Sequence, residues 1–192
     1  VAEIKSALEL ALEKAAQIGR ATPEEMAENQ YREQGRHLAV QFLKGEGDLA
    51  AELQALPPQG QEAARAAIKE VLLRNVGLPR NGDTEPRLAR ALEGMLLVAG
   101  NKKAMTRLTA ELDQLMQNFL QVRHNAFQQL KARFGAGLPN MQRALEAQLR
   151  QKVRLEVEQL PQFQEEWRGF LGNLYDQFDP MLEELKAQMR IF

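Results

Sequence analysis

Residues 102–134 read KKAMTRLTAELDQLMQNFLQVRHNAFQQLKARF. No Gly or Pro interrupts these 33 residues, and a helix through them extends about 50 Å at ~1.5 Å per residue. Met105, Leu108, Leu112, Leu115, Phe119, Val122 and Ala126 alternate steps of three and four. That is the spacing of a coiled-coil seam, and a strand has no use for it. This stretch decides the fold class: all-α.

Downstream, Gly135-Ala136-Gly137 ends the helix and Leu138-Pro139 begins another. Met141, Leu145, Leu149, Val153 and Val157 recur every four residues, a slowly winding apolar face that predicts a rod from Pro139 to about residue 160. Pro161 kinks or splits that rod before a last segment, 162–192, in which Asp179-Pro180 is expected to restart the helix with Asp179 as cap.

Upstream, the elements are shorter. Ile4, Leu8, Ala11, Ala15 and Ile18 form one helical face, stopped by Gly19. Thr22-Pro23-Glu24-Glu25 is a capping box with Pro at the first helical position, opening a helix to about Lys44. Its apolar face is thin: Ala27, Tyr31, Leu38 and Phe42, with Gly35 in the gap. Asp48 opens a short helix that Pro57-Pro58 ends, and a further helix spans about Gln59 to Val76. Asn81-Gly82 marks the clearest loop, and Thr84-Glu85-Pro86 caps a helix that stops at Gly100. The whole is expected to be an antiparallel bundle of about seven helices, two or three of them long. Residues 1–100 form its short-helix region and 101–192 its long-helix region.

Several chemistries are absent from this chain. It has no cysteine, which removes disulfides, thiolate metal sites and thiol catalysis. Its two histidines are His37 and His124. A carboxylate-bridged metal pair needs Glu-x-x-His on two helices, and neither histidine has an acid three residues before it. Glu33 lies one turn from His37, which reads as a surface pair. Gly135-Ala136-Gly137 lacks the Gly-Lys-Ser/Thr of a phosphate-binding loop. Neighbouring acids such as Glu165-Glu166 point about 100° apart on a helix and do not converge. The expectation is no catalytic residue, no metal and no cofactor.

The opening Ala2-Glu3-Ile4-Lys5-Ser6-Ala7-Leu8-Glu9-Leu10-Ala11-Leu12-Glu13-Lys14-Ala15 resembles the start of an uncharacterised bacterial all-helical family, a domain of unknown function. Stalk subunits of rotary ATPases open with similar composition. The resemblance implies a helical fold and assigns no activity, ligand or site residue.

The net charge of −1 selects neither nucleic acid nor anionic membrane, but its distribution is uneven. Residues 102–154 carry ten Lys and Arg against three acids, and residues 155–192 carry three against eight. Read as helical, Arg143, Arg150 and Arg154 share one face and are candidates for phosphate contacts. The plainer expectation is that the basic region packs beside the acidic last helix. The seam from Met105 to Val122 packs either within the chain or against a second copy.

The longest apolar run, Met95 to Ala99, is far short of a membrane span. The opening has an acid where a secretory leader would be basic, so the expected location is the cytoplasm. The function expected is that of a non-enzymatic interaction or scaffold protein with a protein partner or a homo-oligomer. The alternative is a nucleic-acid-associated or regulatory protein using residues 102–154.

Overall fold

The computed structural model describes residues 22–80 and 85–192. Among them are seven α-helices, one 3-10 turn and no strand. The expected helix over residues 4–18, the opening that carries the resemblance, and the Asn81-Gly82 turn lie outside the described residues. The described residues divide into two compact units, the first ending at residue 71 and the second beginning at residue 72.

In the first unit, α1 (Pro23–Leu43) opens on the expected capping box. The Thr22 hydroxyl accepts from the Glu25 amide at 3.2 Å, and the Glu25 carboxylate accepts from the Thr22 amide at 2.7 Å. Two otherwise orphaned donors are thereby satisfied. Asp48 caps α2 (Leu49–Ala55) by accepting from the amides of Ala50 and Ala51, both at 3.1 Å. Next comes α3 (Pro58–Arg74), whose last turn belongs to the second unit. The buried hydrophobic residues described here are Ala39, Phe42, Leu49, Leu53, Ala64, Ala67 and Ile68.

Helix α1 meets α3 at Gly35. A Cβ built there would lie 2.3 Å from the Ala64 carbonyl oxygen and 2.8 Å from its Cα. The apparent gap in the apolar face is therefore the point of closest approach. The arrangement recurs at Gly60, where a Cβ would lie 2.4 Å from the Tyr31 ring. Arg32 on α1 donates to Glu70 on α3 at 2.8 Å.

The second unit is built on two antiparallel helices, α5 (Lys102–Gly135) and α7 (Pro161–Ile191), preceded by α4 (Glu85–Val98). Ring contacts fix their direction. Phe119 meets Tyr175 and Phe178, whereas Phe127 meets Phe163 and Trp167. Asn101 caps α5 by accepting from the Ala104 amide at 3.0 Å. Beside this cap, the Gly100 amide donates to the Phe192 carbonyl at 2.6 Å, tying the last residue to the α4–α5 turn. Pro79 docks on one flank of the pair, its carbonyl accepting from the Tyr175 hydroxyl at 3.0 Å. The Arg80 guanidinium lies 5.0 Å from the centre of the Tyr175 ring.

Two expectations are corrected. The rod predicted from Pro139 to residue 160 is a shorter helix, α6 (Leu138–Leu149). Arg150 turns left-handed at φ 53° and the chain runs on without helix to a 3-10 turn at Val157–Gln159. Along Val153-Arg154-Leu155-Glu156-Val157, half-buried or buried apolar residues alternate with exposed charged ones. That is a period of two, which extended chain satisfies and a helix does not. The Glu146 carboxylate holds the stretch by accepting from the Val153 amide at 3.1 Å. The second correction is at Asp179-Pro180. Helix α7 runs through it, with Pro180 inside the helix and exposed. The proline removes one hydrogen bond, while Phe178 and Leu182 on either side stay buried.

Gly169 and Gly172 lie on the exposed side of α7, and a Cβ at either meets nothing within 4 Å. Alanine there removes the entropic cost of glycine without a clash. Each substitution is expected to stabilise by roughly 0.5–1 kcal/mol, read as a higher urea midpoint. A lower midpoint for both would contradict the open space described here.

Candidate protein-interaction face

The flank of the α5–α7 pair turned away from Pro79 carries two separate depressions, which together trace a groove along one line of α5. Its residues follow from helix geometry. At 100° per residue, Glu111, Leu115, Asn118 and Val122 lie within about 40° of one line, and Ala126, Gln129 and Arg133 continue it. The line runs about 33 Å, at ~1.5 Å per residue. On α7, the opposing wall is formed by Met181, Glu184, Leu185 and Gln188 at one end and Glu166, Trp167 and Phe170 at the other. Two depressions of about 500 and 390 Å³ lie along the groove, one at each end.

The groove is apolar along its floor and charged at its ends. Leu115 is almost buried, but Val122 is 37% exposed and Met181 is 51% exposed. Trp167 and Phe170 stack with centroids 5.6 Å apart and planes 12° apart, forming a flat aromatic ledge. Glu111 marks one end, paired with Arg107 at 3.3 Å. Arg133 marks the other, paired with Glu166. Beside it Lys131 donates to Glu158. That hydrogen bond holds the Lys131 ammonium above its ordinary range and the Glu158 carboxyl below its own. Basic α5 and the acidic stretch after residue 155 thus meet in two ion pairs.

The seam residues divide between core and surface. Met105, Leu108, Leu112, Leu115 and Phe119 are buried within the second unit. Val122 is 37% exposed and lies on the α5 line between the two depressions, lining neither. A strict seven-residue repeat lags a straight helix by about 20° per heptad, so the seam drifts off the buried face. Phe127, Leu130 and Phe134 replace it there, packed against Val157, Leu160 and Phe163.

The three candidate phosphate contacts do not share a helix face. Arg143 is exposed on α6, Arg150 is the left-handed residue at its end, and Arg154 lies in the non-helical segment, 2.9 Å from Glu156. His37 and His124 are both exposed. Near His37, the Arg36 guanidinium engages Glu33 at 2.8 Å, and Glu52 accepts from the Asp48 amide at 3.2 Å. Among the described residues, no three His, Asp or Glu side chains gather as a metal site. No helix of the described residues is long and apolar enough to cross a membrane.

Sequence reasoning missed Glu111, Arg133, Trp167, Phe170 and Met181 as members of one surface. The signal on α5 was present: Glu111 and Arg133 stand eleven residues either side of Val122. The α7 wall was not readable before the pairing of the two helices was known.

A family model described as a family of unknown function (DUF6657) matches residues 50–191. The match covers most of the chain and lies downstream of the opening segment. No curated protein and no solved structure matches the chain.

Proposed function

The chain belongs to this family of unknown function, DUF6657, and from that premise we propose that it is a non-enzymatic protein-interaction module working through the open flank of the α5–α7 pair. One observation carries the reading. A groove about 33 Å long at ~1.5 Å per residue leaves Val122 and Met181 substantially in water, beside the stacked Trp167 and Phe170. Contiguous exposed apolar surface rimmed by polar groups is what partner sites look like, and Trp and Arg dominate their energetics. The groove accommodates a helix, because two parallel walls of side chains form the ridges that a third helix packs into.

A photo-crosslinking residue tests this in the producing cell. Placed at Val122 or Met181, it is expected to yield discrete protein adducts. Leu120 is the matched control: its exposure is 38% against 37% for Val122, and it points about 160° away at 100° per residue. Adducts at neither groove position, or equally at Leu120, would sink the reading.

A further inference from the structure

We propose that the depression between α1 and α3 is the seat of the chain's own residues 4–18, folded back on α1 as an antiparallel helix. This seat belongs to the first unit and does not depend on what the α5–α7 flank binds.

The depression, about 650 Å³, begins at the first turn of α1. Its floor is formed by Ala27 and Tyr31 of α1 with Ala63 and Ala66 of α3. Ala27 is exposed and the other three are half-buried, so this apolar floor is open. The rim is acidic on both walls, with Glu24 and Glu28 on α1 and Glu62 on α3. Arg32, also in the lining, donates to Glu70 at 2.8 Å and stands 3.9 Å from Glu28. Glu62 stands 3.8 Å from Arg65. Both of these last contacts are long for an ion pair, and the Glu28 and Glu62 side chains remain 61% and 87% exposed.

Residues 4–18 lie outside the described residues, and three features of their sequence fit them to this place. The first is reach. Gly19-Arg20-Ala21-Thr22 is a four-residue connection, spanning at most about 14 Å, and short connections set consecutive helices antiparallel. Thr22 is extended and caps α1, so Ile18 arrives at the first turns of α1, where the depression starts. The depression on the other flank of α1, beside His37 and Leu38, starts only at Gln30, about 9 Å farther along at ~1.5 Å per residue.

The second feature is shape. On a helix, Ile4, Leu8, Ala11, Ala15 and Ile18 fall within about 80° of one another. Ala11 and Ala15 then meet a floor that contains Ala27, Ala63 and Ala66. Small side chains on both sides let helix axes approach to the ~8 Å end of the packing range. The third is charge. Lys14 lies about 80° from the Ile4 direction, at the edge of the apolar face and one turn from Ile18, level with the acidic rim. Glu9 and Glu13 lie about 140° and 180° away, on the back of the helix. Glu3 shares the Lys14 edge but sits about 16 Å farther from the rim. Docking therefore brings lysine, and none of the three acids, to Glu24, Glu28 and Glu62. The tether favours this occupant over a free partner, because a short linker presents it at an effective concentration in the mM range.

Hydrogen exchange of the purified full chain, read by peptide mass, tests the fold-back. A helix of about 15 residues is marginal alone in water, so protection here reports docking. Amides of residues 8–18 are expected to exchange at least ~tenfold more slowly than in a free peptide of the same sequence. Ala27→Arg and Ala63→Arg each place a long cationic side chain across the floor. Both are expected to return these amides to the peptide rate while the amides around Gly35 keep theirs. Ala27 is exposed, so that variant folds even if Ala63→Arg does not. Ala55→Arg, in the lining beside His37, is expected to change nothing. Exchange at the peptide rate in the unaltered chain overturns the proposal. So does protection that survives Ala27→Arg or is lost in Ala55→Arg. Protection that falls on dilution from about 100 to ~1 µM gives the seat to residues 4–18 of another copy and overturns the fold-back.

Discussion

Replacing Gly35 with valine is expected to lower the unfolding free energy by roughly 3–4 kcal/mol, and with alanine by roughly 2. The obstacle is backbone. An added Cβ would lie 2.3, 2.8 and 2.9 Å from the oxygen, Cα and carbonyl carbon of Ala64. No rotamer change clears these atoms, so α1 and α3 must separate. Separation of even ~1 Å forfeits about half of each dispersion contact along the crossing. Helix propensity acts the other way, favouring alanine over glycine by about 1 kcal/mol, and the clash has to exceed that gain. Valine adds two further carbons at the same point and gives back part of the propensity gain. Because the contact is with main chain, Ala64→Gly is expected not to rescue either variant. Urea denaturation of Gly35→Ala beside Gly169→Ala makes the comparison within one protein. The same chemical change should destabilise at the first position and stabilise at the second. Stabilisation at both would show that α1 and α3 do not approach as closely as described.

Gly35 also shows where sequence reading stops. Thr22 and Asp48 were legible because a cap is a local bargain between a side chain and amides two or three residues on. The all-α class was legible because the period of the apolar residues is set within each helix. Gly35 in a thin apolar face was not, since its meaning depends on Ala64, 29 positions away in the chain. Arg150 misled for a related reason. Leu145, Leu149, Val153 and Val157 keep an every-fourth spacing, while the alternation from Val153 to Val157 fits a period of two equally well. Periodicity cannot arbitrate between them over five residues. The local effect of Pro180 is to break a helix. The flanking Phe178 and Leu182 are buried on the α5 side and outweigh the one lost hydrogen bond.

The groove stands on the same divide. Its α5 half was visible as the tail of the seam. Val122 and Met105 both fit a seven-residue repeat, yet the two point about 100° apart on a straight helix at 100° per residue. Only the position of α7 shows which part of the seam is core and which part is surface. Phe119 is the last seam residue fully inside, and Val122 is the first one out.

Phe119 is therefore where the stability of the pair and the shape of its open face are set together. Its ring is fully buried on α5, 5.4 Å from Tyr175 at 36° and 5.4 Å from Phe178 at 75°. The two α7 rings clasp it one turn apart. Truncation to alanine removes the transfer energy of a whole ring, both aromatic contacts and the support of Tyr175, whose hydroxyl holds the Pro79 carbonyl. Phe119→Ala is expected to cost about 4 kcal/mol, a large share of the ~5–15 kcal/mol that holds a domain together. The melting temperature should fall by roughly 8–16 °C. Phe119→Leu keeps most of the volume and is expected to lose less than half as much. Phe170→Ala, on the half-exposed ledge, should leave stability nearly intact while weakening whatever the groove binds. That contrast separates the role of a buried aromatic from that of a half-exposed one. If Phe119→Ala cost no more than Phe170→Ala in denaturant, the α5–α7 core would not be centred on Phe119, and the groove beside it would lose its rigid wall.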